Sequence, residues 1–494
     1  MKGNSSNFKL ALWLSIGQFC TYTITFVSTI ILVRYFDKME YGTYKQILYV
    51  YTSLQTLFAM GLPSAFAYFI PRLNKNQQKQ LVNKLTQLFL LFGFIFSAVL
   101  YFSADFIANL LRNPELSVGI RLFAPLPLFT LPTMGVEGIY TALRRTKDIA
   151  VYHIFSKLIM LLCIILPVVV WNMGYREAII GWGTASFLTF IVAMYMKSQP
   201  YFKIDTEIIP NMYRRVFSYS LPLTGAFIAG FFANSADQFF ISRYYGTTAF
   251  AEFSNGSLSI PIVGVIAVSV KNVLLPIFSK ADATHSLDEA IKSYNNAVAK
   301  TATIVLPMLL FCFFFAADIM VALYGNQYLA SKDYFRMYII RDFLQVIPYF
   351  AVLMALGYSK IYMDMHVVGA FAIWTLDFIL IYLGGEGTSI VLITSLFHVS
   401  CSFVAFVYLY KKTHISLLPY HIIRYFIRII IHCSLCLGVL ICIRQIFLPV
   451  MNVFVSLAFC GSIFYILIVS SGYFLKVNYL ESIQLLIKLK YDKR

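Results

Sequence analysis

At 494 residues, with 60% hydrophobic and only 12% charged side chains and a mean hydropathy of +0.75, the chain is not a soluble domain, which carries about twice that charged fraction. A formal net charge of +17 invites a nucleic-acid partner. Yet the basic residues are scattered through short segments between apolar runs, so nucleic acid is excluded and an all-α integral membrane protein is expected.

A membrane-crossing helix needs about 20 mostly apolar residues. By that measure spans are predicted near 10–33, 44–70, 85–111, 119–143, 150–171, 177–196, 216–242, 247–275, 301–323, 335–358, 361–382, 388–410, 424–447 and 452–475, about 14 in all. Residues 1–9 are polar, with Lys2 and Lys9, and the first span is too long for a signal sequence, so it is expected to stay uncleaved. Its middle carries Gln18, Thr21 and Thr25, and Arg34 lies near its outer end. The polar stretches 71–84, 197–215 and 280–300 are read as cytoplasmic, and none is long enough to fold alone. With both termini inside, cytoplasmic segments hold more than twice the lysine and arginine of the opposite side, as the positive-inside rule requires. Lys157 and Lys271 fall inside spans. All eight cysteines lie in spans, and Cys433 and Cys436 are read as packing residues rather than a metal pair. No phosphate-binding Gly-x-x-x-x-Gly-Lys-Ser/Thr loop occurs.

The second half of the chain is a divergent copy of the first. Shifted by 213 positions, Ala104-Asp105-Phe106-Ile107 falls on Ala317-Asp318-Ile319-Met320, Asn113 on Asn326, Lys147 on Lys360 and His153 on His366. A duplicated helical bundle is a common transporter design. The repeat implies two pseudo-symmetric six-helix lobes, at 1–200 and 201–412, followed by an unrepeated helix pair and cytoplasmic tail at 413–494. Six spans per copy give both lobes the same orientation, with a symmetry axis along the membrane normal.

The junction of spans one and two reads Val33-Arg34-Tyr35-Phe36-Asp37-Lys38-Met39-Glu40-Tyr41-Gly42-Thr43-Tyr44. It is followed by Gly61-Leu62-Pro63-Ser64-Ala65-Phe66-Ala67-Tyr68-Phe69-Ile70-Pro71-Arg72. Span seven carries Tyr219-Ser220-Leu221-Pro222-Leu223, Asp237 and Arg243-Tyr244-Tyr245-Gly246, and Leu323-Tyr324-Gly325-Asn326-Gln327-Tyr328 follows later. In order and spacing these resemble the polysaccharide-biosynthesis flippases of the MOP superfamily, the Wzx-type O-antigen transporters. The resemblance implies a MATE-like MOP fold in the bacterial inner membrane. It also implies export of undecaprenyl-pyrophosphate-linked oligosaccharides to the periplasmic leaflet by alternating access, for O-antigen, capsule or exopolysaccharide synthesis. Lipid-linked oligosaccharide and membrane lipids are the implied partners, with a polysaccharide polymerase and a chain-length regulator as further ones. Lipid II flippases place arginines deep in span one, which this chain does not.

Charges in hydrocarbon cost at least roughly 2.5–3.5 kcal/mol and normally face a bundle interior or a wet cavity. Lys271 interrupts the apolar stretch Ile262–Leu275 and is the sharpest candidate for binding a pyrophosphate, or else it pairs with Asp237 or snorkels. Lys157, read as one turn inside span five, has the same two readings. Arg34 and Arg243 end the first helix of each repeat and suit substrate binding at the cavity, an outer gate or interfacial anchoring. Asp237 could bind Na⁺ or H⁺ or close the gate by pairing with an arginine. Glu137 could be a proton site or the partner of Lys157. Arg341 and Asp377 complete the coupling or gating candidates, and Asp105 and Asp318 are expected to cap helices. No metal or organic cofactor is expected. The alternative is a MATE-type cation-coupled drug exporter. An enzyme of polysaccharide synthesis would be expected to carry a large periplasmic catalytic loop, which the sequence lacks.

Overall fold

The computed structural model describes residues 2–283, 287–414, 416–447, 452–475 and 477–480. Lys476 and residues 481–494 of the expected cytoplasmic tail lie outside the described residues. Every regular element among the described residues is helical. The chain forms two compact units, Met1–Ala251 and Glu252–Arg494.

The first unit contains α1 (Lys2–Tyr35), α2 (Lys38–Ala59), α3 (Leu62–Phe69), α4 (Lys75–Leu110), α5 (Glu115–Phe123), α6 (Leu126–Thr133), α7 (Val136–Ala142), α8 (Thr146–Trp171), α9 (Tyr175–Ser198) and α10 (Met212–Phe240). A five-residue π-turn, Ile241–Tyr245, leads into α11 (Gly246–Gly256), where the unit boundary falls. The second unit continues with α12 (Pro261–Ala283), α13 (Asp288–Phe314), α14 (Ala316–Tyr324), α15 (Ser331–Phe343), α16 (Tyr349–Ala355), α17 (Ser359–Tyr382), α18 (Gly387–Thr413), α19 (Tyr420–Phe447) and α20 (Val453–Gly472). The sequence repeat restarts near 201, whereas packing divides the chain at 251, so α10 packs on α2 and α3 in the first unit.

Among the described residues nine helices are long and apolar enough to cross a membrane, and thirteen spans result if each bent pair counts once. Helix α1, apolar over Phe19–Tyr35, corresponds to the remaining expected span. The apolar faces point outward: only 11% of the most apolar stretch of α8 is buried inside the protein. A soluble monomer does not leave such a surface in water, so the chain is a multi-pass membrane protein.

The local reasons for these helices are readable. Helix α4 is capped by Asn74, whose side chain accepts from Gln77 N at 2.9 Å, and it buries Leu81, Leu85, Phe89, Phe96, Leu100, Ala104 and Ala108 along one stripe. Its 36 residues reach about 54 Å, longer than a hydrocarbon core. The polar stretch expected as a loop, Lys75 to Lys84, is therefore the projecting start of this helix. Helix α2 begins six residues before the expected span because Asp37 caps it, accepting from Met39 N and Glu40 N at 2.8 Å each.

Helices α2 and α3 are bent by 46°. Met60 and Gly61 both take left-handed φ, 46° and 61°, and Pro63 opens α3. A Cβ at Gly61 would come within 2.9 Å of the Ser220 carbonyl of α10, so the break also lets α10 approach closely. In the second unit Ala290, Tyr294, Val298, Ala302, Val305 and Leu309 form the buried stripe of α13. Phe278, Leu353, Cys401 and Leu409 join its N-terminal half in one core.

Candidate functional site

A cavity of about 160 Å³ lies inside the first unit between α1, α2, α8 and α9. Lys45 and Lys157 line it together with Thr25, Ser28, Thr29, Tyr44 and Trp182, and no carboxylate belongs to the lining. Lys157 is residue twelve of 26 in α8, which places it mid-helix rather than one turn from the end as the sequence suggested. Its Nζ lies 4.0 Å from Met160 Sδ. Lys45 is residue eight of 22 in α2, and its Nζ lies 5.3 Å from the centre of the Tyr41 ring. Neither lysine makes an ion pair among the described residues. Tyr44 Oη accepts a hydrogen bond from Trp182 Nε1 at 2.8 Å, so the phenol proton remains available to donate.

Hydropathy starts the second span at 44, which leaves Lys45 at its outer edge. The signal that finds it is the Asp37 cap, which starts α2 early enough to carry residue 45 into the bundle. Lys197 opens the polar stretch 197–215 expected to be cytoplasmic, yet it is 3% exposed. Its ammonium donates to the Pro132 carbonyl at 2.7 Å and Thr86 Oγ1 at 3.3 Å. It also lies 5.1 Å and 5.7 Å from the ring centres of Phe66 and Phe89. Pro132 stands at the end of α6, where carbonyls lack helical partners and the helix dipole is negative.

A second cavity of the first unit, about 620 Å³, opens where α2 breaks into α3 beside α10. Gln55, Asn234, Thr56, Ser64, Phe227 and Phe231 supply amides, hydroxyls and aromatic faces, and its lining holds no charged residue.

The remaining sequence candidates are dispersed. Glu137 is exposed and lies 3.7 Å from His153 Nε2, so its close ionisable neighbour is His153, not Lys157. Arg34 is exposed at the end of α1. Arg243, in the π-turn, donates to the Leu110 carbonyl at the end of α4. Asp237 is 4% exposed on α10. Below it, a buried chain of amides crosses the first unit: Asn113 Nδ2 donates to Gln46 Oε1 at 2.6 Å, and Gln46 Nε2 donates to Ser242 Oγ at 2.7 Å. Asp105 and Asp318 are not helix caps. Asp105 pairs with Arg121 at 2.5 Å and Asp318 accepts from both ends of Arg444 at 2.6 and 2.5 Å, because an arginine on a neighbouring helix reaches each carboxylate. The Asp318 pair joins α19, from the unrepeated helix pair, to α14.

In the second unit Lys271 Nζ stands 4.3 Å from the centre of the Phe350 ring, a cation–π contact. Phe350 packs edge-on against Tyr362 at 4.7 Å, and Tyr362 against His366 at 4.1 Å. Arg341 is half-buried, with its guanidinium 5.6 Å from the Tyr338 ring centre. Asp377 on α17 is fully buried. Among the described residues no group of three or more His, Cys, Asp or Glu is placed to hold a metal ion.

The sequence profile of a family described as polysaccharide biosynthesis protein matches residues 8–282. No curated protein sequence matches the chain. Among solved structures, the lipid II flippase MurJ in an inward closed conformation is similar over 94% of this chain and 99% of its own, with TM-score 0.71 at 15% identity. An inward-facing multidrug resistance MATE family transporter of the MOP superfamily is similar over 82% of this chain and 99% of its own, with TM-score 0.64 at 13% identity. A MOP superfamily transporter from Pyrococcus furiosus, described by the reverse polarity of its binding pocket, is similar over 83% of this chain and 96% of its own, with TM-score 0.58 at 13% identity. The fold is that of the MOP superfamily, as the sequence motifs implied.

Proposed function

The chain belongs to the polysaccharide biosynthesis protein family, and from that premise we propose that it is a flippase for lipid-linked oligosaccharides. It carries undecaprenyl-pyrophosphate-linked repeat units from the cytoplasmic to the periplasmic leaflet of the bacterial inner membrane by alternating access, with both termini cytoplasmic. The observation that carries the reading is the uncharged 620 Å³ cavity of the first unit. Sugars present hydroxyls to amides and stack their faces on aromatic rings, and Gln55, Asn234, Phe227 and Phe231 offer that chemistry. A cationic drug would call for carboxylates, and the linings of this cavity and of the lysine cavity hold none. That supports a flippase over a drug exporter.

Asp237 and Asp377, both almost wholly buried, are the carboxylates through which a Na⁺ or H⁺ gradient would act. Lys271 and Arg341 are the cations of the second unit that would meet the pyrophosphate. A polymerase and a chain-length regulator would receive the product.

The deciding experiment reconstitutes the full chain in proteoliposomes with a fluorescent undecaprenyl-pyrophosphate-linked oligosaccharide. The outer-leaflet fraction is read by a membrane-impermeant quencher. Wild type equilibrates the lipid between leaflets, and Phe231→Ala combined with Asn234→Leu slows it about tenfold, as expected when a stacked ring and a hydrogen bond are lost. Gradient-driven export of a cationic dye without lipid movement would select the drug-exporter reading instead.

A further inference from the structure

We propose that the cavity between α1, α2, α8 and α9 binds a phosphate-class oxyanion, with Lys45 and Lys157 as its charge partners and Ser28, Thr29 and Tyr44 as hydroxyl donors. The starting point is a charge imbalance. Two lysines line one cavity inside a helical bundle, and that lining holds no carboxylate. Each would carry the cost of a charge at hydrocarbon depth. Lys197, in the same unit, shows how this chain settles such a charge internally: a carbonyl, a hydroxyl and two ring faces surround the ammonium. Lys45 and Lys157 have no such set. One ring and one thioether sulfur are what the protein places near them.

The other lining groups favour an oxyanion over a halide. Tyr44 Oη already accepts from Trp182, which leaves its own proton free to donate. Ser28 and Thr29 sit on the α1 side of the cavity and bring two hydroxyls to its lining. Two ammoniums and three hydroxyls, contributed by three helices, match a tetrahedral group with several acceptor oxygens, held by charge-assisted hydrogen bonds. The volume sets an upper limit. About 160 Å³ is room for about five waters at liquid density, enough for a phosphate or diphosphate and too small for an oligosaccharide.

Two sources share this chemistry: the diphosphate of a lipid carrier and a free phosphate from solution. The first source rests on the flippase reading and deepens it, whereas the second stands without it.

The test uses the full chain in nanodiscs at constant ionic strength, with inorganic pyrophosphate as the probe and thermal unfolding as the readout. Wild type should show a saturable rise in melting temperature. Lys45→Gln and Lys157→Gln should each raise the half-saturating concentration about tenfold while leaving the pyrophosphate-free melting temperature in place. Lys75→Gln, at the exposed start of α4, should leave the half-saturating concentration where it is. A second measurement needs no variant: pyrophosphate should protect Lys45 and Lys157 of the wild-type protein from an amine-acylating reagent, read by mass spectrometry, and should not protect exposed Lys75. Addition of undecaprenyl diphosphate to the nanodisc then separates the sources. Competition with pyrophosphate identifies a lipid headgroup, and its absence identifies a soluble anion. No saturable rise together with no protection overturns the proposal, as does a rise that the glutamine variants leave unchanged. Neither result touches lipid flipping, which is measured without free pyrophosphate, so loss of the anion site and loss of the flippase reading are separate outcomes.

Discussion

Two lysine environments in the first unit differ in one respect that matters. Lys197 is buried and answered on every side by the protein. Lys45 and Lys157, both half-buried, line a cavity and are answered by one ring and one thioether sulfur. The amino-acid type is the same, the unit is the same, and both sites lie on apolar helices. The contrast teaches that a charge inside a bundle is not evidence of function until its partners have been counted. Lys197 acts as a plug for the carbonyl end of α6. The other two hold attraction in reserve for something that arrives.

Stability measurements can break or sharpen that contrast. The largest loss should follow Lys197→Ala, which strips a partner from the Pro132 carbonyl and leaves a hole between Phe66 and Phe89. Charge-assisted hydrogen bonds and buried volume together suggest about 3–4 kcal/mol, measured by unfolding in detergent, with no dependence on added anion. Gln46→Leu should come next at about 2 kcal/mol, because it leaves buried Asn113 and Ser242 without their shared partner. Asp318→Ala should cost about 1–2 kcal/mol through loss of the bidentate Arg444 contact, 20% and 33% exposed. The repeat-matched Asp105→Ala, with an exposed partner, should fall below it and vanish in high salt. The smallest effect belongs to the cavity. The double variant Lys45→Met, Lys157→Met should unfold within about 1 kcal/mol of wild type or above it, since replacing an unanswered charge with an apolar chain of similar length removes a desolvation cost. A loss as large as that of Lys197→Ala would erase the distinction between the two environments.

Much of this architecture was readable in the sequence because it depends on composition along one chain. Apolar runs fix where spans lie, and the internal repeat and junction motifs pointed to the MOP fold. Lys157 could be singled out because a cation inside an apolar run is visible without neighbours. What escaped depends on contacts between helices. Lys45 did not stand out because hydropathy starts span two at 44 and puts it at the span's edge, while the Asp37 cap starts the helix at Lys38. Lys197 looked like a boundary charge because its side chain runs back from the last turn of α9 to a carbonyl some 65 residues earlier. Asp105 and Asp318 looked like caps because their arginines lie 16 and 126 residues away. Pairing at that distance leaves no local pattern.

The buried amide chain has a further consequence, in time rather than space. Gln46 meets Ser242 across 196 residues, and Gly42 packs so closely on the Thr247 backbone that no side chain fits between them. At about 5–20 residues per second of synthesis, the ribosome needs about 10–40 seconds to deliver α10 and the start of α11 after α2 has emerged. For that interval the first unit exists with a polar seam and a small-residue groove open to lipid. Its assembly is therefore a waiting problem. A chain stopped before residue 242 should be far more sensitive to membrane proteases than one stopped after 251, although both contain the whole first sequence copy.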